Sequence, residues 1–153
     1  MTEAYVDDRS IFQICFVTPD IDRTKTWLAG LLGMPVPETQ LTGPREEAGT
    51  EYLGAPSEAR CKLAFFAMGN TTIELIEPDG QPSCWRDFLD RNGPGCHHVA
   101  FKVAGMKQKI ATFEKGGYPL LQKGEFSGGR YAYVDTEPQL GILVELLEFD
   151  ARA

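Results

Sequence analysis

The sequence predicts an α+β protein built from two copies of one βαβββ module, and three observations carry that expectation. Short runs of alternating apolar and polar residues, which read as strands, are interleaved with stretches of helical periodicity. The chain also contains itself twice: Gln13-Ile14-Cys15-Phe16-Val17 overlays His98-Val99-Ala100-Phe101-Lys102, and each run leads into a helical stretch ending at a Gly followed two residues later by Pro (Gly33-Met34-Pro35 and Gly117-Tyr118-Pro119). Finally, each half closes on a similar strand, Thr72-Ile73-Glu74-Leu75-Ile76-Glu77 in the first and Leu143-Val144-Glu145-Leu146-Leu147-Glu148 in the second. A duplication anchored at both ends marks two structural modules.

The elements follow in order. After the strand at Gln13, Asp20 is a helix N-cap, and Ile21, Thr24, Trp27, Leu28, Leu31 and Leu32 recur at helical spacing until Gly33 stops the helix. Residues 41–59 are rich in Gly, Pro and Glu and longer than their counterpart in the second half; they read as a loop, either a cover over a site or a plain surface insertion. Residues 61–68 form an apolar and aromatic strand, which Gly69-Asn70 turns into the strand carrying Glu74. Pro78, Asp79, Gly80 and Pro82 then open a packed connector, with a short helix capped by Ser83 and bearing Trp85, Phe88 and Leu89 on one side. In the second half Met106, Ile110 and Phe113 make a weaker helical stripe that Gly116-Gly117 ends. Residues 131–134 form a strand, and a turn-rich stretch at 135–141 leads into the strand of Glu145. Module one thus covers about 11–78, the connector 79–94 and module two about 95–148, within a single domain over 1–153.

Composition limits the partners. A net charge of −7 and a pI near 4.8 exclude the basic stripe that nucleic acids require and disfavour a membrane surface. The first ten residues lack the basic start and apolar run of a secretory signal, and no stretch is apolar enough to span a bilayer. Cys15, Cys61, Cys84 and Cys96 are scattered without a CxxC pair and read as reduced structural thiols, so a cytoplasmic protein is expected.

Strand alternation places four polar side chains on the face away from the helices. Gln13 lies with Cys15 and Val17, opposite Phe12, Ile14 and Phe16; Glu74 is opposite Ile73 and Leu75, His98 opposite Val99 and Phe101, and Glu145 opposite Val144 and Leu146. Buried carboxylates among apolar neighbours are unfavourable unless paired or metal-bound, and two at equivalent repeat positions would repel. A divalent cation resolves this, with Gln13, Glu74, His98 and Glu145 as its ligands and Zn, Ni, Co or Mn as suitable ions. A strand glutamate or histidine taken singly more often faces solvent or is structural; it is the repeat, matching Gln13 to His98 and Glu74 to Glu145, that favours the site. His97, of opposite parity, reads as structural or as a support for a ligand, and Glu77 and Glu148 as solvated.

These residues resemble the vicinal oxygen chelate superfamily, which includes glyoxalase I, methylmalonyl-CoA epimerase, extradiol dioxygenases and antibiotic-binding proteins. The resemblance runs from about Ile11 to Glu148 and is carried by Phe12 to Asp20, Thr72 to Pro78, the segment Gly93-Pro94-Gly95-Cys96-His97-His98-Val99-Ala100-Phe101, and Gly141 to Leu146. It implies a curved mixed sheet, a half-barrel around a metal cleft, with ligands at Gln13, Glu74, His98 and Glu145. The double histidine is most similar to methylmalonyl-CoA epimerases, whereas the Gln, Glu, His, Glu set resembles eukaryotic-type glyoxalase I. Either member implies a metal-dependent isomerase or lyase acting on a small acyl thioester. Glu145 and Glu74 would then be the catalytic base and acid, and Arg130 and Lys102 substrate contacts, in a homodimer. A non-catalytic small-molecule or antibiotic-binding protein is the alternative of another class; a ring-cleaving dioxygenase is disfavoured because only His98 is a histidine at a ligand position.

Overall fold

In the computed structural model, which describes residues 4–152, alternation in β1 (Gln13–Val17) buries Cys15 and Val17 on one face and leaves Phe16 partly exposed on the other. The Asp20 side chain accepts from the Arg23 amide at the start of α1 (Ile21–Leu32), and Gly33, at φ 63°, ends that helix by turning its amide back to the last carbonyls. Next come β2 (Gln40–Leu41), α2 (Arg45–Ala48), β3 (Glu51–Tyr52), β4 (Ala55–Pro56), β5 (Cys61–Ala67) and β6 (Thr72–Pro78). After the connecting helix α3 (Cys84–Asn92), the second half runs β7 (Gly95–Lys102), α4 (Met106–Lys115), β8 (Leu120–Phe126), β9 (Gly129–Val134), α5 (Glu137–Leu140) and β10 (Leu143–Phe149).

The strands form one ten-stranded mixed sheet in the order β2-β5-β6-β1-β7-β10-β9-β8-β3-β4, curled into a half-barrel. Each module has the same internal plan. Its first strand pairs parallel with its last (β1 with β6, β7 with β10), and the remaining pairs are antiparallel. The modules meet along the antiparallel pair β1–β7.

Three cores hold the sheet. On the convex face α1 lies over β5 and β6, burying Ile21 and Ala29 against Ala64, Phe66 and Leu75. There α4 covers module two, with Met106 and Phe113 against Ala132, Val134 and Leu146. On the concave face α3 plugs one end, Trp85 and Leu89 packing with Cys15, Val17 and Tyr133. Each large side chain so buried stabilises the fold by about 1.5–3 kcal/mol. Because α1 sits over β5 and β6, the outward face of β1 is only partly covered, which accounts for the exposure of Phe16.

Two expectations change. Glu77 and Glu148 are not simply solvated: Glu77 accepts the Ile21 amide at the start of α1 and pairs with Lys62, while Glu148 accepts the Gly105 and Met106 amides at the start of α4 and pairs with Arg130. The repeat thus duplicates a latch between the last strand and the helix of each module, with a negative charge at each helix N-terminus. The 41–59 segment is likewise more than a loop. It leaves the β2 edge, adds β3 to the far edge through the pairs Glu51↔Lys123 and Tyr52↔Gln122, and returns through the hairpin partner β4. Among the described residues no helix is long and apolar enough to cross a membrane.

Candidate metal centre

Neighbouring strands bring the sequence-derived residues to the concave face. Cys15 of β1 stands opposite Glu74 of β6 on one side and His98 of β7 on the other, and Glu145 of β10 lies beside Ala100 of β7 and opposite Tyr133 of β9. His98 Nε2 is 3.3 Å from Glu74 Oε2 and 3.0 Å from Glu145 Oε2. All three atoms are buried, yet none has a well-aligned hydrogen-bond partner. A buried polar group left unpaired costs about 1–3 kcal/mol. Three such atoms converging form a group whose donor types suit a divalent cation. A cation about 2.0–2.2 Å from each nitrogen and oxygen spaces neighbouring ligands at roughly the 3.0 and 3.3 Å separations found here.

The surrounding hydrogen bonds fix which atoms are available. His97 Nε2 donates to the Cys84 carbonyl at 3.3 Å, and its Nδ1 lies 2.8 Å from His98 Nδ1. Burial, with His98 alongside, holds His97 well below the usual histidine range, so its ring is neutral. With its proton on Nε2, His97 Nδ1 accepts from His98 Nδ1–H, and the His98 Nε2 lone pair is left facing the two carboxylates. Without a cation a proton occupies that place: burial opposes it, but Glu145 and Glu74 raise the His98 pKa to about 9.

Each carboxylate also has a polar neighbour across its strand. Tyr133 stands opposite Glu145, and its hydroxyl accepts from Trp85 Nε1 at 2.9 Å. Burial raises the Glu145 carboxyl above its ordinary range against the opposing pull of His98. Cys15 stands opposite Glu74, and burial together with both carboxylates pushes its thiol far above its ordinary value, so it stays protonated.

The structure brings Glu74, His98 and Glu145 together directly. Gln13 is nearly buried and lines the same cavity as the two glutamates. Lys102 reaches the rim, its Nζ 4.4 Å from the centroid of the Phe12 ring and 5.3 Å from that of Phe149, both of which line the cavity. Arg130 is not brought to the site: it lies on the face opposite Tyr131 and Tyr133, bonded to Glu148 and Asp150.

Two features escaped the sequence reading. Cys15 offers a sulfur within 4.8 Å of the Glu74 and His98 ligand atoms, making a Cys/Glu/His group that can hold a metal; its place beside Gln13 on the same strand face was the available signal. His97 shares the concave side with His98 although alternation predicts the reverse. A bulge skips His97, pairing Cys15 with His98 but Phe16 with Cys96, and so turns both rings the same way.

The cavity above these residues measures about 790 Å³. It is roofed by the 41–59 segment, through Leu41, Thr42, Glu47, Thr50 and Ala59. Gly124 gives Tyr131 room to turn into it, since a Cβ there would lie 2.8 Å from the ring.

Known proteins share this architecture. The chain is 29% identical over 110 residues to the ethylmalonyl-CoA/methylmalonyl-CoA epimerase of Cereibacter sphaeroides, covering 67% of this chain and 81% of that protein. The crystal structure of methylmalonyl-CoA epimerase from Mycobacterium tuberculosis superposes with a TM-score of 0.64 at 19% identity, covering 98% of this chain and 94% of that one. A Streptomyces coelicolor methylmalonyl-CoA epimerase variant in complex with 2-nitronate-propionyl-CoA does so at 0.63 and 22% identity, over 92% and 94%. Residues 12–134 match the model of the Glyoxalase/Bleomycin resistance protein/Dioxygenase superfamily. Because that match spans both modules, from the strand of Gln13 to that of Tyr133, this chain belongs to that superfamily.

Proposed function

We propose that this chain is a metal-dependent proton-transfer enzyme, an isomerase or lyase acting at the carbon next to the carbonyl of a small acyl thioester, with methylmalonyl-CoA epimerase as its reference reaction. The observation that carries the reading is the convergence of Glu74 Oε2 and Glu145 Oε2 on the buried His98 Nε2, beside the cavity that both glutamates line. Likeness to epimerases supports the choice of reaction. His98, Glu74 and Glu145, with Gln13 beside them, would hold a divalent cation. When bound, such an ion supplies electrostatic stabilisation of the negative charge that develops on a carbonyl oxygen.

The protein's own residues move the proton. Glu145, with its carboxyl raised by burial and oriented by Tyr133, takes it from the reacting carbon. Glu74, entering from the other module, returns one from the opposite side. Carboxylates contributed by two repeat-related strands suit exchange between faces. A homodimer is part of this reading, and a light-scattering mass equal to one chain would remove that part.

The test combines elemental mass spectrometry on wild type and Glu145→Ala with deuterium exchange into methylmalonyl-CoA and into the hemithioacetal of methylglyoxal and glutathione. Stoichiometric metal in the wild type is expected, lost in the variant, with exchange reduced by about 10²-fold or more. Exchange on the hemithioacetal alone would move the protein to the glyoxalase branch. Full turnover by Glu145→Ala would overturn the assignment, and a metal-free wild type with no exchange on either compound would leave a binding protein.

A further inference from the structure

Resting on that proton-transfer reading, we infer that the Tyr131 hydroxyl determines substrate choice, by donating a hydrogen bond to a carboxylate carried on the reacting carbon of the acyl group. The direction of one hydrogen-bond chain carries the inference. Gln122 of β8 is buried, and its Oε1 accepts from the Cys84 amide at 2.8 Å. A backbone N–H can only donate, so the oxygen of the Gln122 side chain is the end that faces Cys84, and its NH2 group is the end that faces Tyr131. Gln122 Nε2 therefore donates to the Tyr131 hydroxyl oxygen at 3.1 Å, and the phenol's own proton points elsewhere.

The neighbouring strands do not take that proton. Tyr131 lies across from Leu147 on β10 and Gly124 on β8, neither of which has a side-chain acceptor. Tyr133, two residues along, differs: it too accepts from an obligatory donor, Trp85 Nε1, but it has the Glu145 carboxylate opposite. Tyr131 instead lines the cavity, with the buried Thr50 adjoining it on the same wall. Whether the phenol donates directly or through the Thr50 hydroxyl, the chain that starts at Cys84 ends in a proton facing the cavity. Burial pushes the phenol well above its ordinary range, so that proton stays in place. The rings of His98, Tyr133 and Tyr131 follow one another at centroid separations of 4.9 and 5.3 Å, which sets Tyr131 one ring further out than Tyr133 from the metal residues. That position suits a group attached to the reacting carbon. An anionic oxygen there receives a charge-assisted bond in addition to the pull of the cation, whereas an acyl group without it leaves the donor unpaired.

The experiment titrates methylmalonyl-CoA and propionyl-CoA, which differ by that carboxylate, into the metal-loaded protein in a calorimeter. The wild type should bind methylmalonyl-CoA more tightly by about tenfold or more. Tyr131→Phe should lower that ratio by about tenfold while the Kd for propionyl-CoA changes by less than about threefold. An unchanged ratio, or equal weakening of both compounds, overturns the inference. Gly124→Ala brings a Cβ within 2.9 Å of the Tyr131 hydroxyl and displaces it without removing it. It should lower the ratio in the same way, and it gives the readout if the phenylalanine variant does not fold. Deuterium exchange into methylmalonyl-CoA by the wild type separates the two readings. A ratio that falls in the variants, with no exchange in the wild type, keeps the Tyr131 contact and removes the proton-transfer reading; exchange with an unchanged ratio does the reverse.

Discussion

At the residue scale the two glutamates are related by the repeat but are not held alike. Glu145 stands opposite a phenol that is itself fixed by Trp85, and Glu74 opposite a thiol, a much weaker donor. Tyr133→Phe keeps the ring in the core and deletes the hydroxyl. It should lower metal affinity by about 10–100-fold, because a support behind a ligand has been lost, and reduce stability by about 1–3 kcal/mol, because Trp85 Nε1 is left buried without an acceptor. Metal titration and urea unfolding read the two effects separately; unchanged affinity would show that Tyr133 only packs. The gathering of Glu74, His98 and Glu145, with Gln13 lining the same cavity as the two glutamates, was legible because parity and repeat agree there. The role of Cys15 and the side to which His97 turns were not. A thiol in an apolar run looks the same whether it packs or donates, and a bulge reverses alternation without changing any residue type.

At the element scale the latch glutamates make each module a closed unit of helix and strand. Glu148 loses hydration on burial, yet the Gly105 and Met106 amides and Arg130 hold its carboxyl below the ordinary value. Its contribution is therefore full above the usual carboxylate range and is lost as pH falls through the lowered value. Glu148→Ala should cost about 1 kcal/mol near neutral pH, as for loss of a helix cap, and the difference from wild type should shrink in acid. Denaturant unfolding at neutral and acid pH measures it, and a pH-independent difference would assign the loss to packing instead. Elements with an internal pattern, such as α1 and the strands of Glu74 and Glu145, were readable from sequence. By contrast β2, β3 and β4 are two residues each and are strands only by virtue of distant partners such as Lys123, so no local periodicity could announce them.

At the scale of the whole molecule the duplication explains why one site needs both halves. Glu74 and Gln13 come from the first module, His98 and Glu145 from the second, and the β1–β7 seam brings them together. The overall plan was legible for that reason; the path of 41–59 was not, because its α2, β3 and β4 exceed what the shorter counterpart in the other half contains. Replacing residues 45–58 by a short polar linker should leave the cores under α1 and α4 intact while weakening binding of an acyl thioester by about tenfold, because Glu47, Ala48 and Thr50 line the cavity. Thermal unfolding and calorimetry test this, and unchanged affinity would show the segment to be decoration.

The attachment of β3 to β8 has a mechanical consequence. A curled sheet made of two halves could breathe by hinging along its central seam, as a book opens along its spine. Here a segment that starts from one cover is hydrogen-bonded to the outer edge of the other, so opening the book would tear Glu51 and Tyr52 away from Lys123 and Gln122. Ligands must then enter through the end where Phe126 and Phe149 are already exposed, with no gating step. In stopped-flow experiments the observed binding rate should rise in proportion to ligand concentration without a plateau; saturation would mean that the clasp unfastens during each binding event.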